Sequence, residues 1–307
     1  MKALRIHAFG HPSQSVLENI PLAGPDPGQV SVRIEAASVN PLDLKMLAGH
    51  MQQVFPVNLP YTLGTDLAGV VEQAGPGVDR FKPGDRVVGR LEPTVGGAFA
   101  QAAVIPVQAL SPMPADMSFE QAAALPTAAG TAWRALFGEG GLQAGQRVLI
   151  HAAAGGVGGF AVQFAKQAKA HVIATASARN VGLAKELGAD DVIDYQHQDF
   201  SAVLREVDLV IDTIGGETLE RSWQVLSATG AVVSTVDFAI QARGRRQGSF
   251  VFFNHDATTL DKILQWFKDK RLQIVLDTIH PLDDARAALE QVAAGHARGK
   301  VIVRAAR

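Results

Sequence analysis

A chain of 307 residues, 47% hydrophobic and 19% charged, has apolar material for two domains, and its net charge of −2 supplies neither a basic nucleic-acid surface nor an acidic tail. It contains no cysteine, which excludes disulfides, thiolate zinc sites and cysteine nucleophiles and fits a cytoplasmic protein. No apolar run approaches the ~18 residues of a membrane-spanning helix, and Met1-Lys-Ala-Leu-Arg-Ile6 opens like a strand, not a signal peptide.

Residues 1–115 read as β-rich and punctuated by Gly and Pro. Val30 to Ala36 alternates like a half-buried strand, Val70 to Ala74 runs into Gly75-Pro-Gly77, and Lys82-Pro-Gly-Asp85 turns into Arg86-Val-Val-Gly89. This is the pattern of a compact, partly antiparallel barrel. From about 116 helix and strand alternate. Phe119 to Phe137 is helical, interrupted at Pro126. Arg147 to His151 is a buried parallel strand, followed by Ala153-Ala-Gly-Gly-Val-Gly158 and a helix over Gly156 to Lys169. That turn is a variant of the dinucleotide fingerprint G-x-G-x-x-G, with alanine at the first glycine, in the strand–turn–helix context it requires. Small residues there let the backbone approach a pyrophosphate, and the helix N-terminus offers unpaired N–H groups. Strands follow at His171 to Thr175, Asp191 to Tyr195, Val207 to Thr213, Gly230 to Thr235 and Phe250 to Phe253, with helices at Asn180 to Leu187 and Leu219 to Leu226. Repeated βα units of this kind give a doubly wound parallel sheet. A helix then runs from Asp256 to about Lys268, and Lys300 to Val303 is a last short strand returning to the first domain.

Six stretches together resemble the zinc-independent side of the medium-chain dehydrogenase/reductase superfamily, its quinone and enone (2-alkenal) reductases. They are Ala37-Ser-Val-Asn-Pro-Leu-Asp-Leu-Lys45, Leu63-Gly-Thr-Asp-Leu-Ala-Gly69, Gly84-Asp-Arg-Val-Val-Gly89, Ala153 to Gly158, Asp212-Thr-Ile-Gly-Gly216 and Gly299-Lys-Val-Ile-Val303. The resemblance implies an α/β fold: a Rossmann cofactor domain, residues 116–255, inserted in a split, barrel-like, GroES-like catalytic domain, residues 1–115 and 256–307, with the active site in the cleft between them. Where zinc-dependent relatives carry a cysteine and the histidine of a Gly-His-Glu, this chain has Asn40 and Thr65, so no metal is expected. His151 reads as a packed or hydrogen-bonded histidine. Without a Lewis acid, alcohol oxidation gives way to hydride transfer onto an already electrophilic acceptor.

An NAD site wants a carboxylate ~20 residues past the fingerprint. Ala174-Thr-Ala-Ser-Ala-Arg-Asn180 has none; Ser177 and Arg179 suit a 2′-phosphate, so the expected cofactor is NADPH. Ala154, Gly155, Gly156, Val157 and Gly158 would hold its pyrophosphate, and Thr213, Ile214 and Gly215 lie at the carboxyl edge where ligands bind. By resemblance Tyr195 lies near the adenosine, though a strand-end aromatic serves equally well as a reading. Phe253 and Lys300 are also assigned to cofactor binding. At the nicotinamide end the resemblance points to Asn40, Asp43, Lys45, Thr127 and Thr131, with Asn40, Lys45 and Thr127 as catalytic candidates. Lys45 is as readily a solvated helix lysine, and Asp66 reads as a structural carboxylate. The proton source stays open between solvent, a ribose hydroxyl relay and Lys45. The expected activity is NADPH-dependent reduction of a quinone or an α,β-unsaturated carbonyl; a non-catalytic NADPH-binding protein of the same fold is the alternative. No nucleic-acid or membrane partner is expected. A homodimer is, through an edge strand at Gly248 to Phe253.

Overall fold

The computed structural model of the chain describes residues 1–252 and 257–305. The chain divides into two compact units, Met1–Thr127 with His255–Arg307, and Ala128–Asn254. The short helix Phe119–Ala123 thus belongs to the first unit, past the boundary near 116 that the sequence suggests. Side chains hold it there: Arg304 Nε donates to Glu120 Oε1 at 2.8 Å, and the Arg86 guanidinium lies 4.6 Å from the centre of the Phe119 ring.

In the first unit, Gln29–Ser38, Asp66–Ala74 and Arg86–Arg90 pair antiparallel in succession. Ala102–Pro106 joins Gln29–Ser38, and Leu110–Pro112 joins Arg86–Arg90. Lys300–Arg304 pairs antiparallel with the far end of Gln29–Ser38, beside a parallel Leu276–Pro281. A small sheet of Val16–Asn19, Lys2–Ile6 and Tyr61–Thr62 completes the strands. Bulges in the long central pairing bend the sheet so that its inward residues converge. Val30, Val32, Ile34, Leu67, Val71, Phe99 and Ile105 fill this core together with Leu289, Val301 and Val303 from the C-terminal stretch. Gly69 must be glycine: a Cβ there would stand 2.0 Å from the Arg33 carbonyl oxygen.

The second unit is a six-stranded parallel sheet. Its order is Asp191–Asp194, His171–Ala176, Arg147–Ile150, Val207–Asp212, Leu226–Ser234 and Gln247–Phe250. Numbered along the chain this is 3-2-1-4-5-6, the doubly wound Rossmann order, and the direction of winding reverses between Arg147–Ile150 and Val207–Asp212. Near-continuous apolar strands follow from burial on both faces: Leu149, Ile173, Val210 and Val232 pack with Leu219 and Trp223 of the helix Gly216–Val225. The sixth strand comes earlier than Phe250 to Phe253. Its partner ends at Ser234, so pairing stops at Ser234↔Phe250; Val251 turns inward at 3% exposure, and Phe253 lies outside the described residues. No helix among the described residues is long and apolar enough to cross a membrane.

Candidate active site

Two groups of the expected residues come together, one in each unit. In the first unit strand register is the organising fact. Ser38 faces Asp66 and Asp66 faces Arg90 across three adjacent strands, while Lys300–Arg304 pairs beside Ser38. These side chains are nearly inaccessible: Ser38 and Asp66 0%, Asp43 1%, Asn40 2%, Arg90 and Lys300 4% exposed. Buried charges persist only when paired and hydrogen-bonded, and here two carboxylates meet two cations. Asp66 Oδ2 accepts from Asn40 Nδ2 at 2.9 Å, Ser38 Oγ at 3.2 Å and the Thr127 backbone N–H at 3.1 Å. Its Oδ1 accepts from Thr127 Oγ1 at 2.6 Å and lies 4.0 Å from Arg90 Nε. Arg90 Nε donates to Thr127 Oγ1 at 3.0 Å. Lys300 Nζ donates to Asn40 Oδ1 at 2.6 Å and to the Val39 carbonyl at 2.9 Å.

Asn40 also begins the helix Pro41–Leu47, yet its amide does not cap it. The amide is held by Lys300 on one side and Asp66 on the other. Asp43, at the third helical position, instead accepts the Asn40 backbone N–H at 2.7 Å. Lys300 therefore sits inside this network beside Asn40. Lys45 is half-buried in the last turn of the same helix. Thr131 is buried at 8% exposure within the helix Pro126–Trp133, in the second unit. Burial raises the Asp43 carboxyl to about 7; the Asn40 N–H and the Lys300 and Arg90 charges oppose this, and Asp66 reinforces it. Burial also pushes the Lys300 ammonium down against the attraction of Asp66 and Asp43.

In the second unit the loops after Arg147–Ile150 and Val207–Asp212 flank the point where strand order reverses, where ligands of such sheets bind. The helix Gly156–Gln167 begins at Gly155 with no side-chain cap, leaving first-turn N–H groups for an anion. A Cβ on Gly158 would lie 2.2 Å from the Ala152 carbonyl oxygen, so only glycine lets helix and turn close this tightly. Ala154 to Gly158 thus form a small-residue cradle that fits a pyrophosphate. Opposite them, Asp212 is fully buried. Its Oδ1 accepts the N–H groups of Ile214 (3.1 Å) and Gly215 (2.9 Å), and its Oδ2 accepts Ser234 Oγ (2.7 Å), which shapes the Thr213–Gly215 turn. Thr213 Oγ1 donates to the His151 carbonyl at 3.2 Å.

His151 is a buried connector, as the sequence suggested. Nε2 lies 2.9 Å from Ser222 Oγ and Nδ1 3.0 Å from Thr175 Oγ1. Ser222 spends its hydrogen on the Thr218 carbonyl at 2.7 Å, so it accepts from Nε2–H and Thr175 donates to Nδ1. Burial holds the ring neutral, pushing its pKa down to about 4 against the pull of Asp212, with Arg221 adding to the depression. At the sheet's other side, Ser177 and the exposed Arg179 follow the second strand in a short 3-10 turn. That turn is tied by Asn180 Nδ2 to Ser177 Oγ (3.2 Å) and by the Ala178 N–H to Gln196 Oε1 (3.4 Å). Tyr195 is 57% exposed next to it, its N–H on the Ala176 carbonyl at 3.2 Å.

Two groups escape a reading of sequence alone. Arg90 ends the apolar run Arg86-Val-Val-Gly-Arg90, and only strand register reveals its partner, Asp66. Asp194 stands beside Ala176 in register, so a carboxylate does lie near Ser177, one strand over. It is turned into its own loop, accepting from the Gln196 N–H at 3.1 Å and from His197 Nδ1 at 2.6 Å, and the His197 contact holds its carboxyl below the ordinary value.

An alcohol dehydrogenase GroES-like domain matches residues 26–115, and a zinc-binding dehydrogenase family matches residues 187–303. A chloroplastic quinone-oxidoreductase homolog of Spinacia oleracea is 34% identical over 99% of this chain and 98% of its own. The chain belongs to the medium-chain dehydrogenase/reductase superfamily, on its quinone-oxidoreductase side. The quinone oxidoreductase of Coxiella burnetii superposes with a TM-score of 0.92 at 33% identity, covering 100% of this chain and 99% of that one. Escherichia coli quinone oxidoreductase complexed with NADPH gives 0.89 at 26% identity, covering 99% and 100%. These likenesses support an NAD(P)H-linked oxidoreductase with the α/β, Rossmann plus GroES-like architecture described above.

The two buried titrations have opposite signs. The folded chain holds a proton on Asp43 that the unfolded chain has released, so that contribution is full below about 3.8 and is lost as pH rises to about 7. His151 does the reverse: its contribution is full above about 6.5 and is lost as pH falls to about 4. Between pH 4 and 6.5 the two offset each other. Asp43→Asn removes one, so the variant's unfolding free energy should fall on acidification across that window by up to ~1.4 kcal/mol per pH unit relative to wild type. Urea unfolding at several pH values measures this; parallel profiles for the two proteins would contradict it.

Proposed function

We propose that the protein is an NADPH-dependent reductase that passes a hydride to a quinone or to the β-carbon of an α,β-unsaturated carbonyl, without zinc. The observation that carries this reading is the uncapped, glycine-lined helix start at the reversal point of the parallel sheet. Bound there, NADPH would supply the hydride. The chain's own residues bind and orient. Ala154 to Gly158 take the pyrophosphate, with Thr213 to Gly215 across the crevice. Ser177 and Arg179 offer a hydroxyl and a guanidinium to the dianionic 2′-phosphate, and Tyr195 lies beside the adenosine. Lys45 is the candidate for a positive charge near the oxygen that becomes negative in the acceptor.

The reading without zinc is supported by the groups at the metal-ligand positions. Asn40 has its amide fully engaged by Lys300, Asp66 and the Ser38 carbonyl, and Thr65 is buried with its hydroxyl unpartnered. Neither offers a thiolate or imidazole, and the chain has no cysteine. Among the described residues no group of three or more His, Cys, Asp or Glu is arranged to hold a metal ion. Loss of reduced-cofactor absorbance, followed with a panel of quinones, enones and alkenals, tests the activity. Turnover should favour NADPH over NADH and survive a chelator. Arg179→Ala should weaken NADPH binding by about 1.5–3 kcal/mol, the scale of a hydrogen bond to a charged group, and leave NADH nearly unchanged. Equal losses for both cofactors would make Arg179 structural.

We further propose a homodimer joined through Gln247–Phe250. This strand is an edge of the parallel sheet, and beside it the 52% exposed Phe238 stacks on Phe250 at 4.2 Å. Among the described residues no strand pairs with its outer side, and an edge of that kind with apolar neighbours calls for a partner strand. Light scattering should give about twice 32.4 kDa, and Ser249→Lys should shift it toward one chain. A wild-type mass of one chain would overturn the dimer. Val251 is unsuited to this test, since at 3% exposure a charge there would disturb folding first.

A further inference from the structure

Between the helix Gly216–Val225 and the crossover of residues 235–246 that leads into Gln247–Phe250 lies a cavity of about 270 Å³, wholly within the second unit. None of the residues assigned above to the cofactor lines it. Its floor is apolar: Leu219 and Trp223 are buried, and Ile240 packs against the same core cluster. Its rim carries Asp237, Gln241 and Arg243. Asp237 is half-buried and held at two points. Its N–H donates to Ser234 Oγ at 3.1 Å, and its Oδ1 accepts the Ala239 N–H at 2.9 Å. Its Oδ2 and the Gln241 side-chain amide have no partner among the described residues. Arg243 is already engaged. Its guanidinium lies 4.7 Å from the centre of the Trp223 ring and donates to both Glu220 oxygens, at 2.8 and 2.6 Å. Those bonds hold the Arg243 guanidinium above its ordinary pKa, with Asp237 adding to the attraction. Arg246 donates to the carbonyls of Trp223, Leu226 and Ser227 where the helix ends. The Arg243 charge is thus matched by Glu220, and the Asp237 charge is left over.

We propose that this cavity is a binding site for a small organic ammonium, its apolar body lying on Leu219 and Ile240 and its charged head on Asp237 Oδ2 and the Gln241 side-chain oxygen. An ammonium only donates hydrogen bonds, and these two oxygens are acceptors with capacity to spare. A charged donor on a carboxylate gives the stronger class of hydrogen bond, and an apolar floor with a few polar groups is the usual build of a small-molecule site. An anion would meet the Asp237 and Glu220 carboxylates and an arginine whose fork is already occupied. The site does not rest on the reductase reading, because it needs neither cofactor nor acceptor.

The test is a ligand-observed NMR titration of the full chain, without cofactor, using benzylammonium and its neutral counterpart of the same shape, benzyl alcohol. Benzylammonium should bind with a Kd of about 1 mM or tighter, as expected of so small a ligand. Benzyl alcohol should bind about tenfold more weakly, the difference between a charge-assisted and a neutral hydrogen bond. Asp237→Asn keeps an oxygen for the Ala239 N–H and removes only the charge, so it should weaken benzylammonium about tenfold or more. Glu217→Gln, an exposed carboxylate of the same helix outside the cavity, should change it by less than about twofold. Arg243→Gln leaves Glu220 unmatched and should tighten benzylammonium about two- to fivefold. No saturable binding of benzylammonium to wild type below about 10 mM, equal binding of the two probes, or an unchanged Kd in Asp237→Asn would overturn the proposal. Should Asp237→Asn fail to fold, Arg243→Gln decides: benzylammonium binding that does not tighten refutes a cation site.

Discussion

The Asp66 carboxylate is the constraint on which the first unit depends. It is fully buried at the start of its strand, and it collects hydrogens from Ser38, Asn40 and both the backbone and side chain of Thr127. An isolated carboxylate in such a place would cost several kcal/mol. Its donors must therefore come from elements far apart in sequence: the strand before Asn40, the start of the helix at Pro126, and, through Asn40, the last strand of the chain. Lys300 binds the Asn40 amide and the Val39 carbonyl 260 residues or more away in sequence. One charge thereby ties together the segments that carry Asn40, Thr127 and Lys300.

The second unit solves a related problem with neutral groups. The two turns at the reversal point of its sheet sit beside a buried histidine and a buried aspartate, and each of these is satisfied by neutral partners within the unit: His151 by Thr175 and Ser222, Asp212 by Ser234 and two backbone N–H groups. The histidine pins two adjacent strand ends to the helix Gly216–Val225, while the aspartate sets the turn that follows its own strand. The small-residue cradle is then held between elements that are already rigid, which is the condition for a backbone to present N–H groups to an anion without reorganising.

The local parts of this arrangement were legible in the sequence. The strand–turn–helix at Arg147 to Lys169 announces itself because glycine, alanine and apolar spacing all lie within one βα unit, and the succession of such units fixes the parallel sheet. Asn40 and Thr127 were visible through family likeness, and His151 through its place at the end of an apolar strand. What depends on strand register was not visible. Arg90 looks like the solvated end of a strand until Asp66 is found across from it, and Asp194 looks remote from Ser177 until their strands are paired. Lys300 was assigned to the cofactor for its position in a motif; its ammonium is engaged by Asn40 and the Val39 carbonyl. The sixth strand was placed too late because Val251 and Phe252 continue an apolar run, while pairing ends with the partner strand at Ser234.

The central claim is that the first unit's site is a charge-balanced network, with Asp43 and Asp66 set against Arg90 and Lys300. Urea unfolding at pH 8, above the raised Asp43 value of about 7, tests it most directly, using Lys300→Met, Asp43→Asn and the double variant. Lys300→Met should cost about 3–5 kcal/mol, as removal of one partner from a buried charged group does, and adding Asp43→Asn should recover more than half of that by restoring balance. Single-variant effects that add within about 0.5 kcal/mol in the double variant would mean the four charges are independent, and would contradict the account.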